Sequence, residues 1–596
     1  VWIRDSGSYE SWNDIMQDFK QLNHEYTSLH ALSMISLKYF LNAVHNTLWW
    51  GWWHPNGFQN NRSHADTCIH VASECFRIVL EHCGTGTGNI GSCFSDSEHA
   101  IVNLMKQVSD SWFKLRSDVI LQLIDIIILT MLMLLELEPG KEICVKCISI
   151  TNFILSEKCK LLPLTQHNDK EWRCNLKLGF TVINNSVERT DSEISFTILK
   201  LCNCAFYIKT QQYAECLDCL RANQTTHVQL HSVENYIKVL ACYLSCDLEA
   251  AVLFLLSMKN TVESSQMIVK SHLLSACVLS KAGRRNDALI ELFEALHQDC
   301  RELVDVTLYH IAKEYELLYK ACPPGSLASS LQAAHLDTLR HLVQVLQDND
   351  KNSYSSFCMK SRILNIVHSQ PTISLSKALY LLGSTLVASG NVSGACDVYV
   401  EMLALQDVLP HASALHDAAA VFLECNREQE AEKLCRQAVS CYIPQNHGLL
   451  SLEDDIVALM MLAHIYKLRE QFIQQADTLD RCLRIISNFK RKRNDLCSNE
   501  MLDVINMLNV LSSKLHAEKA NNYMKRSPSF KKDAFYELKQ AILCNPDDGD
   551  ILNSYNQLVG GISLNKPTPR LELSIPSEGC STIAIMYLLK TYSLQQ

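Results

Sequence analysis

From about residue 196 to 560, apolar residues recur at intervals of three and four, in runs separated by short polar turns. That spacing is the signature of helices that each bury one face. Several runs pair off under one pattern: a small residue, a polar turn, an alanine twelve positions later, and a small or apolar residue seven further on. Ala276, Gly283, Ala288 and Ala295 follow it. So do Gly383 (with Leu382 ahead of it), Gly390, Ala395, Tyr399 and Met402, and so do Ala419, Asn426, Ala431 and Ala438. Near the end, Ala534, Leu538, Ala541, Asn545 and Pro546 supply the second half of a further pair.

This is the spacing of a tetratricopeptide repeat. Two antiparallel helices cross at close range, so side chains at the crossing must be small; a larger one would overpack it. Gly283 and Gly390 suit a turn that needs a left-handed residue. Pro546 after Asn545 stops the second helix. The second-helix alanines are taken as Ala214, Ala250, Ala288, Ala395, Ala431 and Ala534, separated by 36, 38, 107, 36 and 103 positions. The two long steps are each close to three units. The second of them contains a degenerate unit, with Ala463 and Tyr466 in its first helix and Gln475, Leu479 and Cys482 in its second. The alternative is a chance run of amphipathic helix pairs, against which the common period of about 36 counts.

The expected fold is therefore all-α, a right-handed α-solenoid of tetratricopeptide-like helix pairs over 196–560. Residues 1–195 are expected to form an N-terminal helical region, and 561–596 a linker (Pro567, Pro569, Pro576) with one apolar segment, Thr582 to Leu594. Loops are expected at Cys322 to Gly325, at Gln347 to Tyr354 and at Pro444 to Leu450. The N-terminal region has two irregular breaks, one at Trp49-Trp50-Gly51-Trp52-Trp53-His54-Pro55 and one from Gly84 to Gly91. The run Val119 to Leu135 is apolar except for Gln122, Asp125 and Thr130. It is at the short limit for crossing a bilayer, and Asp125 at its middle would be costly there, so it reads as a buried helix.

Composition supports the helical reading. The chain has 596 residues, and 19 glycines with 13 prolines make about 5% of it, against a usual share of about 12%. The formal charge of -10 is not that of a dedicated nucleic-acid binder. The 26 cysteines are scattered through helical patterns in a long chain and read as reduced, buried thiols of a cytosolic or nuclear protein. The opening residues do not show a secretory signal pattern.

Candidate chemistry is sparse. Gly86-Thr-Gly88-Asn-Ile-Gly91 matches the dinucleotide fingerprint as a string, but no strand precedes it and no helix opens directly after it. It reads as a loop. Cys144/Cys147 and Cys216/Cys219 are Cys-x-x-Cys pairs 69 positions apart (216 minus 147), too far for a compact zinc module. They read as core thiols, with Cys202 and Cys204 beside them. His64, Cys68, His70, Cys75, His82 and Cys83 form a loose cluster without a zinc spacing. His24-Glu25 lacks the second histidine of a zincin. Lys490-Arg491-Lys492-Arg493 is the one dense basic run; it is either an import signal or a solvated loop after a helix ending near Phe489. Asn61, Asn223 and Asn391 lie in sequons that matter only in a secreted protein. The tryptophans at Trp49 to Trp53 suit either an interface or a local core.

The segments Val269 to Ala295, Ala378 to Leu405, Ala418 to Val439 and Ala534 to Gln557 resemble, in order and in loop length, the Fanconi anaemia group G family. The similarity runs over about 360 residues, from Phe196 to Leu558; the first 195 residues match only as apolar helices. The resemblance implies a non-catalytic, nuclear (also cytoplasmic) scaffold without cofactor, metal or small-molecule substrate. It implies binding to the Fanconi group A protein and other core-complex subunits, in support of monoubiquitination of the group D2/group I pair during interstrand crosslink repair. The other classes are a tetratricopeptide scaffold of a meiotic or cyclosome-type assembly, and an enzyme with catalysis in residues 1–195, for which the sequence offers no motif.

Overall fold

In the computed structural model the described residues are 41, 44, 48, 62–82, 97–111, 117–137, 139–165, 191–222, 228–259, 265–298, 300, 303–348, 364, 367–368, 373–405, 412–440, 449–493 and 499–559. Among them the regular structure is helical, with no strand. They divide into two units: described residues up to Ala321 with Leu364, Val367 and His368, and then Cys322–Asp348 with the described residues from Ile373 on.

The first unit opens with α1 (Arg62–His82), α2 (Ser97–Ser111), α3 (Ser117–Glu136) and α4 (Lys141–Thr165). Helix α3 is buried from Leu123 to Leu135. The one acid within that stretch, Asp125, is also buried and accepts a 2.7 Å hydrogen bond from Ser195 Oγ. Among the described residues no helix is long and apolar enough to cross a membrane. The unit continues with α5 (Asp191–Lys209), α6 (Tyr213–Ala222), α7 (Val228–Leu244), α8 (Leu248–Lys259), α9 (Ser265–Lys281), α10 (Arg285–Leu296) and α11 (Val304–Ala321). Helix α5 runs through residue 195 and packs against α4. One continuous apolar core runs from Leu41 to Val367, so the N-terminal helices and the first repeats share a single interior.

The second unit comprises α12 (Ser326–Asp348), α13 (Leu375–Ala388), α14 (Val392–Ala404), α15 (Ala412–Glu424), α16 (Glu428–Ser440), α17 (Leu449–Leu468), α18 (Phe472–Arg493), α19 (Asn499–Arg526), α20 (Lys531–Cys544) and α21 (Gly549–Val559). Capping explains the starts of two of them. Ser374 Oγ accepts from the Lys377 amide at the head of α13, and Asn391 Oδ1 accepts from the Gly394 amide at the head of α14. Each satisfies a donor that the first turn of a helix leaves open. A final cluster of Ala520, Ala534, Leu538, Ala541 and Ile551 joins α19, α20 and α21.

Candidate protein-interaction repeats

Six turns between paired helices share one backbone geometry. Each holds one residue in the left-handed region: Gln211 (φ 62°), Cys246 (63°), Gly283 (80°), Gly390 (83°), Asn426 (58°) and Glu470 (55°). In each, the following amide reaches back to a carbonyl in the last turn of the first helix. The pairs are Gln212 to Tyr207, Asp247 to Cys242, Arg284 to Leu279, Asn391 to Leu386, Arg427 to Phe422 and Gln471 to Tyr466, all at 2.7–2.9 Å. This is the closure of a Schellman cap. The second helix then begins two residues after the left-handed one, at Tyr213, Leu248, Arg285, Val392, Glu428 and Phe472.

Counting from the left-handed residue gives the register of every pair. Five positions on stand Cys216, Ala251, Ala288, Ala395, Ala431 and Gln475, all buried. Nine positions on stand Leu220, Leu255, Leu292, Tyr399, Cys435 and Leu479, also buried. Seven positions before stand Cys204, Val239, Ala276, Gly383, Ala419 and Ala463, buried as well. Ala295 and Ala438 are buried further along their second helices, and Ala534 and Ala541 lie in the core of the last pair. Pro546 is exposed in the turn after α20.

Two alanines do not occupy the place assigned to them. Ala214 is exposed and Ala250 is half-buried; the crossing position belongs to Cys216 and Ala251. Cysteine packs as a small apolar residue, so counting alanines alone shifts the register by two and one. The long step from Ala288 to Ala395 also differs from a row of standard units. Between α10 and α13 the described residues include α11 and α12, and these belong to different units. The turn before α20 is built differently again. A single 3-10 turn, Pro528–Phe530, is capped by Ser527, whose Oγ accepts from the Ser529 amide.

The crossing at Gly383 shows why the position is small. A Cβ there would sit 2.9 Å from Cζ of Tyr399, a ring with no exposed surface. Tyr380, one turn earlier, donates from its hydroxyl to Asp417 Oδ2 at 2.8 Å and so ties α13 to α15. Where the crossing residue is not small, a polar pair replaces contact by size. Gln475 Oε1 accepts from Asn522 Nδ2 at 2.7 Å, and the same amide donates to the Phe472 carbonyl at 2.9 Å.

Polar links recur from pair to pair. In the first unit, Lys200 of α5 and Glu234 of α7 form an ion pair at 2.9 Å, each only 2% exposed. Around them Thr151 donates to Asn203, Asn203 to Asn152, and Asn152 to the Tyr207 hydroxyl, at 2.7, 2.7 and 2.9 Å. In the second unit, Arg469 in the turn after α17 reaches Glu428 and Glu432 of α16, and Lys519 of α19 bridges Asp480 of α18 and Glu537 of α20. Burial would raise the Glu537 carboxyl, but hydrogen bonds from His516 and Lys519 hold it below the usual range. These contacts fix one repeat against the next.

Most described cysteines are buried, as the sequence suggests, but Cys246 is exposed and Cys219, Cys277, Cys322, Cys425 and Cys544 are half-buried. Cys68, Cys75, Cys144, Cys147, Cys202, Cys204 and Cys216 are buried, and burial pushes Cys68 and Cys202 up to about 12. Cys219 is held below the usual thiol range, first by a hydrogen bond from the Cys204 thiol and then by Lys200 and Asn203, against the effect of burial. The sequence gives no hint of this, because Lys200 lies in another helix. The two Cys-x-x-Cys pairs have different neighbours: Cys147 neighbours Cys202, whereas Cys216 and Cys219 neighbour Cys204. Among the described residues no three His, Cys, Asp or Glu side chains group as a metal site. His70 is half-buried in α1; the side chains of His64 and His82, with Cys83, lie outside the described residues, as do His24-Glu25, Gly86 to Gly91, Trp49 to Trp53, Asn61, Asn223 and Thr582 to Leu594.

The basic run is not a loop. Helix α18 continues to Arg493, so Lys490 to Arg493 form its last turn, where cations complement the helix dipole. Lys490 donates to Asn509 Oδ1 at 2.6 Å and to Ser512 Oγ at 3.3 Å, and burial lowers its pKa.

No protein-family model matches the chain, and no curated protein matches it. Several solved structures are similar. The C-terminal part of a TPR repeat-containing protein from Cytophaga hutchinsonii is 13% identical, over 51% of this chain and 98% of that one, with a TM-score of 0.33. The APC/C hetero-tetramer Cut9–Hcn1 is 9% identical over 90% and 98%, with a TM-score of 0.25. A human IFIT1 dimer with m7Gppp-AAAA is 12% identical over 77% and 97%, with a TM-score of 0.29. At these values nothing about binding or activity passes from them to this chain. The turn geometry and crossing positions define the class: an all-α protein of tetratricopeptide-like helix pairs.

Proposed function

We propose that this chain is a non-catalytic, nuclear scaffold subunit of the Fanconi anaemia core complex. It holds the group A protein and supports monoubiquitination of the group D2/group I pair during interstrand crosslink repair. The observation that carries the reading is the ordered series of repeat segments, Val269 to Ala295, Ala378 to Leu405, Ala418 to Val439 and Ala534 to Gln557, with its family-like order and loop lengths. In such stacks binding comes from the area and shape of the assembled repeats. The chemistry of ubiquitin transfer then belongs to another subunit.

The test is made in cells that lack the protein. After treatment with a crosslinking agent, group D2 monoubiquitination is expected to be lost and to return when the chain is restored. It should not return with Ala431→Asp, which places a charge at a buried crossing position. Normal group D2 modification without the chain contradicts the reading.

A further inference from the structure

Seven and ten positions beyond the left-handed turn residue, each second helix turns side chains away from its core. In α6, α16 and α18 these positions are charged: Asp218 and Arg221, Lys433 and Arg436, Asp477 and Asp480. In α14 they are Asp397 and Val400. Helices α8 and α10 depart from this. Theirs are Leu253 and Leu256, then Ile290 and Phe293, exposed by 72%, 71%, 58% and 39%.

The two helices are neighbours, since Lys259 Nζ of α8 meets Glu291 Oε1 of α10 at 2.5 Å. Equivalent positions on these two linked helices are therefore both apolar and exposed, and we read them as one stripe. Exposing four large apolar side chains together runs against the hydrophobic effect unless something covers them.

The charges beside the stripe say what kind of partner fits. Lys259 is paired with Glu291, and Arg284 with Asp287. Arg285 turns one guanidinium nitrogen inward, out of solvent. Glu249, one turn before Leu253, and Glu294, one turn after Ile290, are exposed and make no ion pair among the described residues. An apolar stripe bracketed by two open carboxylates attracts a basic partner. A second copy of the same surface would instead bring carboxylates together, which costs free energy.

We propose that α8 and α10 dock an amphipathic helix of a partner protein. That helix presents leucine-like residues on one face and lysine or arginine at both ends of it. Helix-in-groove recognition of this kind reads apolar anchors at i, i+3 or i+4, and i+7. The surface deepens the scaffold reading and rests on it.

The test uses the full chain and a labelled helical peptide of about 18 residues, built from leucine and lysine with that spacing. A second peptide carries glutamate for lysine. Fluorescence anisotropy is expected to show the basic peptide bound and the acidic one weaker by about tenfold or more. Leu256→Ser with Ile290→Ser should weaken the basic peptide by a similar factor, and Glu249→Lys with Glu294→Lys should reverse the preference. All four residues are exposed, so both double variants should keep the wild-type urea midpoint. Equal binding of the two peptides, unchanged binding by the variants, or self-association of the chain through this stripe in sedimentation would each overturn the proposal. Failure of the peptide test with group D2 modification still dependent on the chain removes this surface alone. Peptide docking without that dependence removes the complex assignment alone.

Discussion

A hydrogen at Gly383 stands where any other side chain would meet the buried ring of Tyr399. Gly383→Ala is expected to cost about 1–3 kcal/mol through overpacking, read as a lower urea midpoint for the second unit. Two turn residues of that unit should move stability in opposite directions. Gly390→Ala places a Cβ at φ 83° and should destabilise by about 1 kcal/mol, while Glu470→Gly relieves φ 55° and should stabilise by part of that. Three histidines give a pH dependence. Burial, with smaller effects from Lys270 and His310, lowers His368 to about 4; burial alone lowers His416 to about 4; and burial, then Lys467, lowers His464 to about 4. Unfolding frees each to bind a proton near pH 6.5, so their contribution is intact above that value and falls as pH drops toward 4. Glu291, Glu432 and Glu537 are held below their ordinary 4.5, so their contributions fade only below it. Urea midpoints should therefore fall between pH 6.5 and 4.5, and a flat profile there would count against the buried placement of these rings.

At the scale of elements, the buried pair Lys200–Glu234 joins α5 to α7. Lys200→Met alone leaves a buried carboxylate and should cost about 3–5 kcal/mol. Lys200→Met with Glu234→Met should recover most of it; denaturation of the single and double variants decides. The crossing glycines and alanines of α9, α10 and α13 to α16 were legible in the sequence, because size and spacing are properties of residue type and order. Gly283 and Gly390 announced their turns for the same reason. The turns at Gln211, Cys246 and Glu470 did not, since residues without glycine's freedom adopt the same backbone once the flanking helices are packed. Cys216 was hidden by a count of alanines. Lys490 looked solvated because its acceptors, Asn509 and Ser512, belong to the next helix. Nor did periodicity mark the stripe of Leu253, Leu256, Ile290 and Phe293: an apolar residue reads as core until the other face of its helix is seen to be the one that packs.

For the whole molecule, the described residues form two units, and the first joins the N-terminal helices to the early repeats in one core. The shared interior has a mechanical reason. Helix α3 is apolar around most of its circumference, so it needs neighbours on several sides, and α5 is one of them. Removal of residues 1–190 should therefore expose α5 and leave the remaining chain aggregation-prone, as measured by size-exclusion chromatography; a monodisperse truncated chain would contradict the shared core. A scaffold of the proposed kind should carry its partners with it, so the decisive measurement is affinity purification of the tagged chain from nuclear extract, followed by mass spectrometry. The Fanconi group A protein is expected at near-stoichiometric level, with other core subunits behind it, and is expected to be lost with Ala431→Asp. Recovery of a different complex without a Fanconi subunit would leave the helical repeats standing and contradict the function proposed for them.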